Sequence, residues 1–460
     1  MCKLKNVALI TLLALAGCTS LAPGYQRPDM PVPNSFSASR NALVESTGME
    51  DTGWRSFFLS PQLKQVIALS LTHNQDLRTA SLKVAEAAAQ YSLIDAERYP
   101  QLNGSSNATY SGGFDSQSTT THQYSVGMAL SFELDFFGRL KNMSEAEQQR
   151  FFASQQAQRA VHILVVSNVA QSYMNRSRTE AQLNIANQAL LNYQRSYRFI
   201  EQRTRVGNST LLALEQARGQ IETARSDIAK RRGELSQANN ALQLVVGQYS
   251  LPAEPVTSAA QPVSMVTLPA NLSSDILLQR PDIVEAERLL MAGNANIGAA
   301  RAAFFPSISL TGSATGSSTD LSSLFDSASG LWNFIPKISI PIFDGGKNRA
   351  NLSLAEIRQQ MSVVTYEQKI QNAFKQVADA LSLRDSIAQR IEAQRRYLNS
   401  LQTTLRRANV LYDNGAISYL EILDTERTLF SARQTLTDLK YDQQINEINL
   451  FTALGGGWVE

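Results

Sequence analysis

The sequence predicts a mixed α+β membrane protein, in which each chain lends four strands to a shared β-barrel and continues it with very long helices. Three observations carry that prediction. Two stretches, residues 139–206 and 347–414, each run 68 residues without a Gly or a Pro. Each is preceded by a segment whose side chains alternate between apolar and polar. The whole pattern occurs twice, with copies offset by 206 to 208 residues. A wholly helical stretch of that length reaches roughly 100 Å, several times the ~30 Å hydrocarbon core of a bilayer. Neither stretch is apolar enough to lie in lipid.

Residues 1–17 read as a targeting segment, with Lys3 and Lys5 followed by an apolar run at 7–16. The run closes on Leu15-Ala16-Gly17-Cys18, which matches a lipoprotein signal. On that reading Cys18 becomes the acylated first residue; the alternative is an ordinary secretory signal with a chance cysteine. Lipoproteins kept at the inner membrane usually carry Asp next, so Thr19 points to the outer membrane. Cleavage would remove Cys2, Lys3 and Lys5, leaving one cysteine, no internal disulfide, and 40 basic against 40 acidic residues. A neutral chain without a basic run gives nucleic acid no foothold. Beyond the first residues no run of 18 apolar side chains occurs, so a helical span is excluded.

An irregular arm follows at 18–60, with Pro23, Pro28, Pro31 and Pro33 barring continuous helix or strand. The first repeat, 61–247, opens with helical patterning from Pro61 to about Arg98, stopped by Pro100. A hairpin at about 101–137 comes next. In it Tyr124, Val126, Met128, Leu130, Phe132, Leu134 and Phe136 point one way, and Ser125, Gly127, Ala129, Ser131, Glu133 and Asp135 the other. The small polar face suits a water-filled lumen, with Glu133 and Asp135 lining it near one end; plain lumen-facing polarity is the alternative to a special role. Gly138 turns the chain into the long helix at about 139–206, whose stripe includes Leu183, Ala186, Leu190, Tyr193, Tyr197 and Ile200. Gly207 breaks it, and a return helix at about 211–246 follows.

A linker at 248–281 carries five prolines. The second repeat, 282–455, then reproduces the first: a helix, a hairpin at about 306–343, a long helix at about 347–414 and a return helix at about 418–454. Pro306 answers Pro100 and Phe343 answers Phe137 at an offset of 206, while Gly415 answers Gly207 and Gly455 answers Gly247 at 208. A tail at 456–460 closes the chain.

Four strands cannot close a membrane barrel, and open edges in lipid leave backbone groups unpaired at several kcal/mol each. The chain must therefore pool its strands with sister chains. Two copies give eight strands and an interior filled by side chains; three give 12 and an aqueous pore. A homotrimer is expected, its helices continuing the pore as a coiled-coil tunnel.

Several motifs resemble one known family. They are the lipobox with Tyr25-Gln26-Arg27-Pro28 after it, Gln279-Arg280-Pro281-Asp282-Ile283, Asn296-Ile297-Gly298-Ala299-Ala300-Arg301 and Phe305-Pro306-Ser307-Ile308. On these the chain resembles the outer-membrane factors, or channel-tunnels, of tripartite efflux pumps. Within them it is similar to the copper/silver cation efflux branch over nearly its whole length. That similarity includes Leu134-Asp135-Phe136-Phe137-Gly138-Arg139-Leu140-Lys141-Asn142-Met143-Ser144-Glu145 and the ending Gly455-Gly456-Gly457-Trp458. The resemblance implies a lipid-anchored homotrimer in the outer membrane, extending into the periplasm and passively exporting copper or silver cations. A periplasmic adaptor and an inner-membrane proton-driven pump would be its partners. Drug efflux or protein secretion is the runner-up, and a structural coiled-coil lipoprotein or adhesin the alternative of another class.

The turn after the second long helix reads Gly415-Ala416-Ile417-Ser418-Tyr419-Leu420-Glu421-Ile422-Leu423-Asp424. Glu421 and Asp424 stand three apart and share a helix face. In a trimer they would stack as acidic rings at the narrow entrance, drawing cations and gating by repulsion; a merely solvated face is the alternative. The resemblance places acidic constriction residues at these two positions, although its basic residue two after the Gly is Ile417 here. Trp332, Phe334 and Tyr124 are candidates for an aromatic girdle. His73, His122 and His162 lack ligand spacing and the nine methionines do not cluster, so no metal site and no cofactor is expected. No catalytic motif is visible.

Overall fold

The computed structural model of the chain describes residues 20–36, 53–114, 119–250, 264–266, 268–269, 272–326 and 329–457. Cys18 and Trp458 lie outside that set. After one helical turn at Trp54–Phe57, the elements are α1 Pro61–His73, α2 Gln75–Ala96, β1 Gln101–Ser111, β2 Thr121–Leu134, α3 Arg139–Arg205 and α4 Leu211–Val246. A 3-10 helix at Ser274–Gln279 leads into α5 Pro281–Ala302, β3 Ser307–Ser318, β4 Gly330–Ser339, α6 Lys347–Asp413 and α7 Tyr419–Ala453. Both long helices therefore exist as single 67-residue elements. No described helix is long and apolar enough to cross a membrane.

The chain divides into two compact units. One comprises Met1–Asp29, Leu82–Gln156 and Val284–Lys369; the other comprises Met30–Ser81, Ala157–Ile283 and Ile370–Glu460. The first holds a four-stranded antiparallel sheet in the order β1-β2-β3-β4, so each hairpin of the duplication forms locally and the two join through β2 and β3. The arm also docks here. Asn294 donates to the Pro23 carbonyl (2.6 Å), Arg301 to the Leu21 carbonyl (3.3 Å), and Ser20 to Asn142 (2.6 Å).

The second unit has an aromatic centre. Trp54, Phe57, Phe58 and Phe451 are buried, and Phe57 stacks on Phe451 with ring centroids 3.9 Å apart. Burying a ring of this size contributes roughly 1.5–3 kcal/mol.

The pattern from Pro61 to about Arg98 is not one helix, because Asn74 interrupts it with ψ at 129°. Its side chain accepts from Leu77 N–H (3.0 Å), capping α2, and donates to the Val245 carbonyl (2.7 Å). Ser70 donates to the same carbonyl (3.1 Å). The break thus lets the end of α4 abut the end of α1, and Gly247 makes the approach possible. It sits at φ +79°, and a Cβ there would come within 2.5 Å of the His73 carbonyl. The second repeat builds the matching joint with Arg280, which donates to the Ala453 carbonyl at the end of α7 and holds Asp282 through two bonds of 3.0 and 2.8 Å.

Candidate functional site

The strand register sorts the sheet into two chemically distinct faces. Met128 pairs with Gly104 and Ala314, Leu130 with Leu102 and Gly312, and Phe132 with Leu310. Continuing across β3, Ile308 meets Ile338, Gly312 meets Phe334, and Ala314 meets Trp332. Side chains directly opposite share a face, so the apolar sets of all four strands line up. The other face carries Ser105, Asn107, Ser125, Ser131, Ser309, Thr311, Ser313 and Asn333. Leu331 and Ile335 of β4 depart from the pattern, both on the polar face. Trp332 is 79% exposed and lies on the apolar face with Phe334. Tyr124 shares that face, its hydroxyl 3.3 Å from Tyr110.

Glu133 and Asp135, expected to line a lumen, both have partners where β2 runs into α3. Glu133 takes Arg139 in two bonds, 3.1 and 2.8 Å. Asp135 accepts from the Lys141 backbone N–H at 2.7 Å, which satisfies one of the free amides at the start of α3. A cleft of about 350 Å³ opens beside them, lined also by Phe137, Phe305 and Pro306.

At the other candidate site, the ends of α3 and α6 and the starts of α4 and α7 share one core. It contains Ile200, Ala213, Ala217, Ala408, Tyr412, Tyr419, Ile422 and Leu423. Gly207 and Gly415 both turn with positive φ, followed by Asn208 N–H bonding to Arg203 (2.8 Å) and Ala416 N–H to Leu411 (2.8 Å). Ile417, where the resemblance leads one to look for a base, packs on this core. Glu421 and Asp424 are exposed on the side of α7 away from Ile422 and Leu423. Neither has an ion-pair partner among the described residues, so both charges are available to whatever faces them. Arg203 lies 4.9 Å over the Tyr412 ring and 3.7 Å from Asp413, linking the two turns. Ser196 and Tyr419 join hydroxyls at 3.0 Å.

Two further carboxylates emerge from the packing. Glu426, two residues beyond Asp424 and on the packed side of α7, is pushed up to about 7 by burial, and its Oε2 has no hydrogen-bond partner. Glu287 is 6% exposed and receives the arm: Arg27 in two bonds of 2.7 and 2.9 Å and the Tyr25 hydroxyl at 2.9 Å. Burial and that bond to Glu287 raise the Tyr25 phenol. Among the described residues no three His, Cys, Asp or Glu side chains gather as a metal site.

Comparison with known proteins relates the chain to one family. The family model described as outer membrane efflux protein matches twice, at residues 66–248 and 272–456, one match for each repeat. The chain is 60% identical to the probable outer membrane lipoprotein SilC of Salmonella typhimurium, covering 100% of both chains. It is 62% identical to the cation efflux system protein CusC of Escherichia coli strain K12, over 98% of this chain and 99% of that protein. A crystal structure of CusC, studied for the conformational changes accompanying folding and transmembrane channel formation, superposes with a TM-score of 0.87, covering 95% of this chain and 100% of the other.

Proposed function

Because the chain belongs to the outer membrane efflux protein family, we propose that it is the exit duct of a tripartite efflux system carrying copper or silver cations out of the periplasm. The observation that supports this most directly is the register of the sheet. A wall with one predominantly apolar face and one dominated by Ser, Thr and Asn has lipid on the first side and water on the second. The cargo follows from full-length likeness to a cation efflux protein and to SilC.

In this reading three copies pool twelve strands, a periplasmic adaptor and an inner-membrane proton-driven pump complete the assembly, and an acylated Cys18 tethers each arm. The arm's hold on Glu287 and Asn142 keeps residue 20 beside the first turns of α3, close to the wall that the tether must serve. The duct is passive: it needs no catalytic step, cofactor or resident metal. Glu421 and Asp424 form acidic rings at the entrance, where fixed negative charge concentrates cations.

Two experiments test this. A deletion strain is expected to become copper- and silver-sensitive and to be restored by the intact chain; unchanged metal tolerance with a new drug sensitivity would refute the cargo. In planar bilayers Asp424→Ala is expected to reduce cation preference and to raise the open fraction. Conductance and selectivity equal to the parent would remove Asp424 from the entrance.

A further inference from the structure

The segment joining β3 to β4 is rich in Ser and Asp but carries three large apolar side chains, Leu321, Leu324 and Phe325, within five residues. It folds on itself: a 3-10 turn at Leu321–Ser323 is followed by Asp326 N–H bonding to Ser323 (3.2 Å) and Ser329 N–H to Asp326 (3.0 Å). The side of the sheet on which it settles is fixed by two contacts. Gly316 belongs to the apolar row of Ile308, Leu310, Gly312 and Ala314, and a Cβ on it would meet the Leu324 carbonyl at 2.9 Å and Val126 Cγ1 at 3.8 Å. Ser318, next in that row, shares a hydroxyl contact of 2.6 Å with Ser323. The Leu324 carbonyl brought so close to the sheet is satisfied by the Ser329 hydroxyl (2.8 Å). The loop therefore lies over the apolar face. Leu324 is buried beneath it, while Leu321 and Phe325 remain 62% and 83% exposed.

We propose that this loop is a hydrophobic brim, seated among the acyl chains at the outer-leaflet boundary and leaving the polar mouth of the duct uncovered. Continuity identifies the occupant. Leu321 and Phe325 are exposed on a loop that lies over the face carrying Trp332 and Phe334, and an exposed apolar patch adjoining a lipid-facing band is most cheaply covered by more lipid. A loop built to plug the pore would fold onto the opposite face and present polar groups to it.

The inference rests on the barrel reading above, and the test separates the two. Spin labels are placed by Leu321→Cys and Phe325→Cys, with Phe334→Cys as a band reference and Asn333→Cys as a polar-face reference. The full-length proteins are reconstituted in phosphatidylcholine vesicles and labelling is corrected against the unsubstituted chain. Collision with oxygen, which partitions into lipid, is compared with collision with a water-soluble nickel chelate. The loop labels are expected to follow Phe334, with oxygen accessibility several-fold above nickel. Loop labels that follow Asn333 while Phe334 sees lipid overturn the brim and leave the barrel standing. Loop labels shielded from both reagents mean a protein surface covers them, which also overturns it. A Phe334 label that sees nickel as readily as Asn333 refutes the barrel itself.

Discussion

Glu426 occupies an apolar row. On α7 the side chains Tyr419, Ile422, Leu423, Glu426, Leu429 and Phe430 follow helical spacing, so one charge stands where only burial is available. Tyr193 of α3 and Tyr419 face it, each raised to about 12 chiefly by burial, with Arg427 and Asp227 near Tyr193. Because burial holds the Glu426 proton until about pH 7, against an ordinary 4.5, the folded state binds that proton more tightly than the unfolded chain. Its contribution is complete below about pH 4.5 and is lost as pH rises through 7, amounting to roughly 3 kcal/mol per chain. Glu426→Gln is expected to remove the fall in thermal stability between pH 5 and pH 8 and to be the more stable form at pH 8. Parallel pH profiles for parent and variant would show that the carboxylate is not buried as described. The spacing that exposes Glu426 was available in the sequence, as was that of Glu287 beside Ile283, Ala286 and Leu290. Glu421 and Asp424 lie off the row. The opposite holds at Glu133: alternation gives its face, but the Arg139 pairing depends on the turn between strand and helix, which periodicity does not encode.

At the scale of elements, what the pattern made legible was whatever repeats over many residues. Seven alternating side chains define β2, and 68 residues without Gly or Pro define each long helix. The break at Asn74 was not legible, because nothing local demands it; Ser70 and Asn74 meet a helix end 175 and 171 residues away, and Gly247 is shaped by that approach. Periodicity also left open which sheet face meets lipid on β1, whose alternation is weak, until pairing with β2 supplied it. The face assignment makes a sharp prediction in the middle of the sheet. Met128→Arg puts a cation on the apolar side and is expected to cost about 2–4 kcal/mol. Ala129→Arg, one residue on, faces the polar side and is expected to fold normally while shifting selectivity away from cations. Urea unfolding in detergent reads the first and reversal potentials in planar bilayers read the second; equal destabilisation of both would mean the faces are not divided.

The molecule as a whole is constrained by its two sheet edges. β1 and β4 have no partner strand on their outer sides among the described residues, and backbone groups left unpaired in hydrocarbon cost several kcal/mol each. A ten- or eleven-residue edge therefore carries a penalty far larger than the net stability of a typical folded domain. Joining β4 of one copy to β1 of the next removes both edges at once, and it makes the strand total a multiple of four. Eight strands would crowd the inward face, whereas its Ser, Thr, Asn and Gly leave room only if the ring is wider, and twelve is the next closure. The tandem duplication supports the same geometry, since each chain contributes two similar hairpins to a nearly uniform wall. Stoichiometry can be counted without a standard curve. Co-expressing the chain with a copy bearing a mass tag, then extracting in detergent for native mass spectrometry, yields one more species than the number of chains in the ring. Three chains give four evenly spaced masses. Three masses would mean a dimer, and two would mean a monomer that seals its own edges, an outcome the unpaired strands forbid.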